Sequence, residues 1–454
     1  MLFNAIKNNL KLSMPILLTR LLGITSNLIA MLLIAKLGPV ALSASALVMG
    51  IFSVCILLVM AFSFSVCALI AQAYAKKQND EVGKIFTASL ILNTLLALPF
   101  MLAFYNVTNI LLLIHQPPAV AALTGDYFRG LLIGYLPMIW ANIIEQFFVG
   151  LGKPRYIVYL SVLGLLVMPL LSKIFIFGAF GIPAMGMLGA GYAVSATSIF
   201  SLFFLLSIIV IKKWMTAFSL FHFSFKKDYP IFKKLFLLGW PTALQFGGEF
   251  SAYSFMTIMM GWVSVEALAA QQILLQFTSV IIMIPTSVSQ ATAVLVGQAY
   301  GQNNESEVRY CTQVSLWVVT VLMLLIGVVY MAMPMALARL YLDVANPINT
   351  KILTITKIFF LITAVTQCFD GVRNVLAGAF RGMQETKSPM QISLISLWLI
   401  GIPLAYVTGF LLPGGAVGIR FGFAIGVIVG TFLLAGLWYR RKMIATKSIL
   451  QSLP

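Results

Sequence analysis

Charge is what this chain has least of. Of its 454 residues only 9% are Asp, Glu, Lys or Arg, against roughly 25% in soluble domains, which excludes an ordinary water-facing surface. Sulfur and imidazole are scarce too. Cys55, Cys67, Cys311 and Cys368 fall inside apolar runs with no CxxC spacing, so they read as small packing side chains. His115 and His222 stand at the edges of such runs, and neither has a companion with which to hold a metal. No GxxxxGK(S/T), HExxH or GxSxG stretch occurs, and no polar stretch is long enough to house a soluble catalytic domain. The chain is therefore not an enzyme of those classes, and by itself not an ATP-driven pump.

What it has is apolar length. Hydrophobic residues make up 61% of the chain, the mean hydropathy is +1.02, and runs of the about 20 residues needed to cross a bilayer recur throughout. The runs predict an all-α integral membrane protein with twelve transmembrane helices. Among them are a second at 43–72, a seventh at 236–262, an eighth at 267–300 and an eleventh at 390–412. Ser43-Ala44-Ser45-Ala46 has the look of a signal-peptidase site but lies behind a full-length span, so no cleavage is expected there.

The net charge of +17 could suggest nucleic acid. Its placement points elsewhere. Lys and Arg collect in alternate loops: Lys7 and Lys11; Lys76, Lys77 and Lys84; Lys153 and Arg155; Lys212 through Lys234; Arg309; Arg381 and Lys387; and Arg440, Arg441 and Lys442. By the positive-inside rule, both termini and the basic 212–234 stretch are cytoplasmic and the protein sits in the cytoplasmic (inner) membrane. No nucleic-acid partner is expected; contact with anionic membrane lipid is.

Two stretches are versions of each other at an offset of 226. Pro15 maps onto Pro241, Ala41-Leu42 onto Ala267-Leu268, Ala44 onto Ala270, and Ser53-Val54 onto Ser279-Val280. Gln72-Ala73-Tyr74 maps onto Gln298-Ala299-Tyr300 and Glu81-Val82 onto Glu307-Val308. Agreement on one register predicts two six-helix lobes, 1–211 and 235–454, joined by a cytoplasmic basic linker over 212–234 with room for a short surface helix. With an even number of spans per repeat, the lobes should be related by a pseudo-two-fold axis along the membrane normal, with the substrate path in the cleft between them. Phe148 through Arg155 and Phe380 through Lys387 are matching loops, where Gly150 and Gly382 are expected to permit tight turns.

Six ionisable residues stand inside or near predicted spans: Arg20, Glu145, Lys173, Glu249, Asp370 and Arg373. Each costs about 2.5–3.5 kcal/mol or more at membrane depth, so each should face a cavity or a partner. Glu249 has Gln245 and Tyr253 four residues to either side, on one helical face. Asp370 has Arg373 and Asn374 three and four residues on. Glu249 and Asp370 could form a shared cation or proton site. The alternatives are a protonated Glu249 in the core and an Asp370–Arg373 pair within one helix. Arg20 and Lys173 could snorkel or pair with Glu145. Pro15, Pro169, Pro241, Pro285 and Pro403 are candidate kinks.

These features together resemble the multidrug and toxic compound extrusion (MATE) transporters, in their NorM-like bacterial branch. The likeness rests on Pro15, Leu37-Gly38-Pro39-Val40-Ala41-Leu42, Gln298-Ala299-Tyr300-Gly301, Phe177-Gly178, and Pro183 through Gly191. It rests also on Asp370, Arg381-Gly382 and Glu385-Thr386-Lys387-Ser388-Pro389-Met390. The resemblance implies an antiporter, without cofactor, that exports small lipophilic cations against a proton or sodium gradient. Glu249 and Asp370 would couple the ion, H+ or Na+. Gln245, Tyr253, Gln272, Gln276, Phe277 and Asn374 would line the substrate cavity. A monomer is the expected assembly. Many such proteins carry an aspartate about fifteen residues after the first proline; here that position is Ala30, with Asn27 and Thr25 nearby, so an ion site in the first half is not expected. The rival readings are a lipid-intermediate flippase, for which Arg20, Lys173 and Arg373 would hold a pyrophosphate head, and a non-transporting membrane binding protein.

Overall fold

A computed structural model describes residues 2–343 and 349–451, apart from the side chains of residues 2–4, 225 and 442–451; the side chain of Lys442 thus lies outside the described residues. The first part of the chain forms α1 (Leu2–Ala35), α2 (Pro39–Ala75), α3 (Asn79–Tyr105), a short α4 (Val107–Leu113), α5 (Pro118–Gly150), α6 (Arg155–Phe177) and α7 (Gly186–Ile211). A one-turn α8 (Trp214–Ala217) follows. The second part forms α9 (Phe225–Val263), α10 (Val265–Ile281), α11 (Met283–Gly301), α12 (Glu305–Ala332), a short α13 (Pro334–Ala338) and α14 (Thr350–Gly382). It ends with α15 (Lys387–Leu394), α16 (Ile402–Tyr406) and α17 (Gly415–Gln451), with π-helical stretches at Ile395–Gly401 and Val407–Leu411 on either side of α16.

The repeat is visible in the helix ends. α2 begins at Pro39 and α10 at Val265; α2 ends at Ala75 and α11 at Gly301; α3 begins at Asn79 and α12 at Glu305. All three pairs stand at the offset of 226. In the turns between them, Lys77 and Asn303 both take left-handed backbone, with φ of 59° and 54°. α5 and α14 are each 33 residues long.

Gly150 and Gly382 close those two helices, and here the expectation needs correcting. Neither is the turn residue. A Cβ on Gly150 would lie 2.8 Å from the Cys67 carbonyl oxygen and 2.8 Å from Ile70; one on Gly382 would lie 2.8 Å from the Ala293 oxygen and 2.9 Å from Val296. Cys67 and Ile70 map onto Ala293 and Val296 at the same 226 offset, so one close helix approach occurs twice. The left-handed turn falls two residues later, at Gly152 (φ 72°) and Gln384 (φ 64°).

Eleven helices among the described residues are long and apolar enough to cross a membrane, one fewer than the twelve expected. The missing one is the predicted seventh span. α9 is long enough at 39 residues, but Gln245, Glu249 and the Gly247-Gly248 pair dilute its apolar character. The predicted eleventh span is a continuous run over Lys387–Leu411 whose π-helical stretches leave Pro403 in the first turn of α16, where its missing N–H is tolerated.

The chain divides into two compact units, one of Met14–Ala243 with Gly301–Asn303, the other of Met1–Ser13, Leu244–Tyr300 and Asn304–Pro454. The boundaries fall inside α1 and α9 and at the C-terminal end of α11. In the first unit α5 packs tightly on α7: a Cβ on Gly134 would stand 2.2 Å from Ser195 Cα, and the Ser195 hydroxyl donates to the Gly130 carbonyl at 2.6 Å. Small residues permit this approach, and the hydroxyl ties the helices where no water competes. The 212–234 stretch is held to the same unit. The Ser219 hydroxyl donates to Asp80 Oδ1 at 2.7 Å, the Phe221 amide to Thr87 Oγ1 at 3.1 Å, and Lys84 pairs with Asp228 at 3.0 Å. Trp214 is buried, with Lys153 Nζ 4.5 Å above its ring. In the second unit a core cluster of Met256, Met259, Met260, Leu274, Tyr330, Phe359, Phe360 and Phe423 packs between α9, α10, α12, α14 and α17.

Candidate functional site

The helical spacing of four puts Gln245, Glu249 and Tyr253 on one face of α9, as expected. That of three and four puts Asp370, Arg373 and Asn374 together on α14. Both faces meet in the second unit, and the residue that joins them is Arg373. Its Nη1 donates to Glu249 Oε1 at 2.9 Å; its Nη2 and Nε donate to Asp370 Oδ1 at 2.7 and 3.1 Å. Side-chain exposures of 3% for Arg373, 9% for Asp370 and 14% for Glu249 make this a buried triad with one edge open.

Polar neighbours complete it. Gln245 Nε2 donates to Glu249 Oε1 at 3.0 Å, and Asn374 Nδ2 to Asp370 Oδ2 at 3.3 Å. The Ser393 hydroxyl of α15 receives bonds from both Gln245 Nε2 (3.3 Å) and Arg373 Nη1 (3.2 Å). One turn on, Trp398 Nε1 donates to the Gly248 carbonyl at 3.0 Å, so the π-helical segment grips α9 beside Glu249. Two carboxylates share one guanidinium. Glu249 Oε2 has no hydrogen-bond partner among the described residues. That oxygen is open to a proton or a monovalent cation.

The intrahelical Asp370–Arg373 pair, an alternative in the sequence, is therefore present, and it reaches further than the sequence indicated. Arg373 and Ser393 are the residues that sequence reasoning did not assign to the site. Arg373 carried a signal, its i,i+3 spacing from Asp370; Ser393 carried none. Tyr253 sets its ring edge-on to Phe423 at 4.9 Å and packs with Phe277 against the core cluster. Phe277 also contacts the rings of Phe360 and Tyr341. Gln272 and Gln276 lie on the exposed side of α10, while their neighbour Gln271 is buried and donates to Thr257 Oγ1 at 3.4 Å.

The remaining candidates lie in the first unit. There a cavity of about 570 Å³ is walled by α1, α2, α5, α6 and α7, and Glu145 lines it together with Ala30 and Asn27. Arg20 acts electrostatically on Glu145. Lys173 is exposed and is not part of the cavity wall. Thr25 is exposed and bonds back to the Leu21 carbonyl at 3.0 Å.

Comparison with known proteins agrees with this architecture. The probable multidrug resistance protein NorM of Agrobacterium fabrum is 30% identical over 435 residues, covering 95% of this chain and 93% of that protein. The multidrug resistance protein NorM of Burkholderia vietnamiensis is 29% identical over 438 residues, covering 94% and 92%. The fold matches the crystal structure of a eukaryotic MATE transporter with a TM-score of 0.82 at 20% identity, over 96% of each chain. It also matches an outward-facing multidrug resistance MATE family transporter with a TM-score of 0.84 at 19% identity, over 97% and 96%. The MatE family pattern fits residues 15–175 and again 241–407, so its two copies begin at Pro15 and Pro241, the residues that set the 226 offset. With most of its length inside those two matches, this multi-pass membrane protein belongs to the MatE family.

Proposed function

We propose that this protein is a cation-coupled antiporter of the cytoplasmic membrane that exports small lipophilic cations, with H+ or Na+ held at Glu249 and Asp370. Both termini and the 212–234 stretch face the cytoplasm in this reading, in keeping with the positive-inside distribution of Lys and Arg. The observation that carries it is the buried triad in which Glu249 and Asp370 share the single guanidinium of Arg373. Gln245, Asn374 and Tyr253 stand beside that group.

Arg373 acts as the resident cation. While the external ion is absent, the guanidinium holds both carboxylates and makes their burial tolerable. An arriving proton or Na+ takes a carboxylate oxygen, loosens the hold of Arg373 on that side, and so reports occupancy to α9, α14 and α15 at once. Relatives named for multidrug resistance support drug-like small molecules as the substrate class, and a gradient-driven exchange needs no nucleotide site. A lipid-intermediate flippase fits less well, because Arg373, needed there for a phosphate head, is already engaged by two carboxylates.

The test is ethidium efflux from reconstituted vesicles in which the sodium and proton gradients are dissipated one at a time. Loss of efflux with one gradient identifies the ion. Efflux that persists after both are abolished overturns the reading.

A further inference from the structure

One buried cation of the second unit takes no part in the triad. Arg420, in the second turn of α17, is only 6% exposed. Its Nη2 donates to Thr363 Oγ1 at 2.9 Å, and its Nη1 approaches Met256 Sδ at 3.8 Å. Both partners are neutral, and among the described residues no carboxylate pairs with it. A charge kept at membrane depth is costly and marks an ion path more often than it serves packing. We propose that Arg420 is a positioning residue for the coupling ion, a fixed positive charge on the external side of the triad that weakens the hold of Glu249 and Asp370 on that ion. This rests on the reading that those two carboxylates hold it.

Spacing on two helices places the charge. Met256 lies seven residues after Glu249 on α9, and Thr363 seven residues before Asp370 on α14. Seven residues are two turns, about 10 Å of axial rise, and return to the same helical face. Both contacts of Arg420 thus lie on the faces that carry the triad, displaced in one direction. With both termini in the cytoplasm, as proposed, that direction is outward, the side from which a driving ion arrives.

Tyr253 links the two groups. It lies one turn beyond Glu249 on α9, and its ring meets Phe423 of α17 edge-on at 4.9 Å. Arg420, Arg373, Asp370 and Glu249 all act on it electrostatically. Tyr330 of α12 feels Arg420 as well. The Thr363 hydroxyl donates to the Phe359 carbonyl at 2.6 Å and so presents a lone pair to the guanidinium. Arg420 is held in place by neutral groups, and its charge is left to act at a distance.

The consequence follows from its sign. Two ionised carboxylates with Arg373 alone would grip an added cation, and a tight site does not empty. A second guanidinium lowers that affinity. At an effective dielectric constant of about 20, two unit charges about 10 Å apart change a binding constant by about tenfold. The site then fills where the driving ion is concentrated and empties where it is dilute.

Infrared difference spectroscopy of the purified full-length protein tests this by following the carboxyl and carboxylate bands. One titration varies pH without Na+; the other varies Na+ at a fixed pH above the proton midpoint. Bands lost in Glu249→Gln belong to the triad. In Arg420→Met, the midpoint for whichever ion moves those bands should shift to about tenfold lower concentration, which for the proton is about one pH unit upward. Arg420→Lys keeps the charge and should titrate close to wild type, which a purely structural role would not produce. Arg420→Gln retains a donor for Thr363 and serves if Arg420→Met fails to fold. Wild-type midpoints in the neutral variants overturn the proposal, as does an equal shift in Arg420→Lys. If no wild-type band answers to either ion, the functional reading falls and this inference with it. If the bands respond but their midpoints ignore Arg420, the inference falls alone.

Discussion

Arg373 on α14 holds Glu249 on α9 at 2.9 Å, bridging helices 124 residues apart in sequence, while the same guanidinium holds Asp370 one turn away on its own helix. A buried ion pair of this kind does not earn its place through stability, since apolar residues of the same volume would pack as well or better. Its geometry instead makes each carboxylate sensitive to the state of the other through a shared donor.

Removing that donor should be expensive. Arg373→Met leaves two carboxylates facing each other with no cation, and the loss is expected at about 3–5 kcal/mol. A thermal melt of the purified protein measures it. Adding Glu249→Gln and Asp370→Asn to the same chain should recover much of the loss, because a neutral group needs no counter-charge. Equal melting of the single and triple variants would contradict the shared-donor account.

The paired glycines give a second check. Gly150→Ala and Gly382→Ala each drive a methyl to within 2.8 Å of a backbone carbonyl oxygen, so both should destabilise their units, by about 1–3 kcal/mol each. Gly50→Ala meets nothing within 4 Å and should stabilise α2 slightly, by up to about 1 kcal/mol. Melting temperatures of the three variants test whether the repeat reproduces a packing contact as well as a sequence pattern.

The connector should respond to acid. Asp228 Oδ2 accepts from the Ser224 amide at 2.9 Å and Oδ1 pairs with Lys84 at 3.0 Å. The Ser224 amide first, and then the Lys84 ammonium, hold its carboxyl below the usual range against the opposing effect of burial. A carboxyl lowered in the folded state stabilises fully above its unfolded pKa, about 3.9, and loses that contribution as pH falls through the lower folded value. The melting difference between wild type and Asp228→Asn should therefore be full at neutral pH and shrink below about pH 4. A difference that grows with acid would contradict the assignment.

Much of this was legible in the sequence, for identifiable reasons. Pro15 and Pro241 marked the repeat, because each lies at the corresponding place inside the first long helix of its half. Gln245, Glu249 and Tyr253 marked the face of α9 that Arg373 of α14 engages, because a carboxylate inside an apolar run needs a partner. What stayed hidden was three-dimensional. Ser393 joins the triad from another helix, with no spacing to betray it. Gly150 and Gly382 looked like turn residues because glycine serves both turns and close approaches, and only the neighbouring Cys67 and Ala293 carbonyls distinguish the two. Ala30 suggested a first half without an acidic site, yet its cavity draws a carboxylate from α5 instead.

The most direct test concerns Glu249. Wild-type protein and Glu249→Gln are reconstituted at equal density, and ethidium efflux is followed after an inward gradient of the coupling ion is imposed. The account predicts gradient-driven efflux for the wild type and none above background for Glu249→Gln, with the variant still folded. Efflux by Glu249→Gln at the wild-type rate would contradict it.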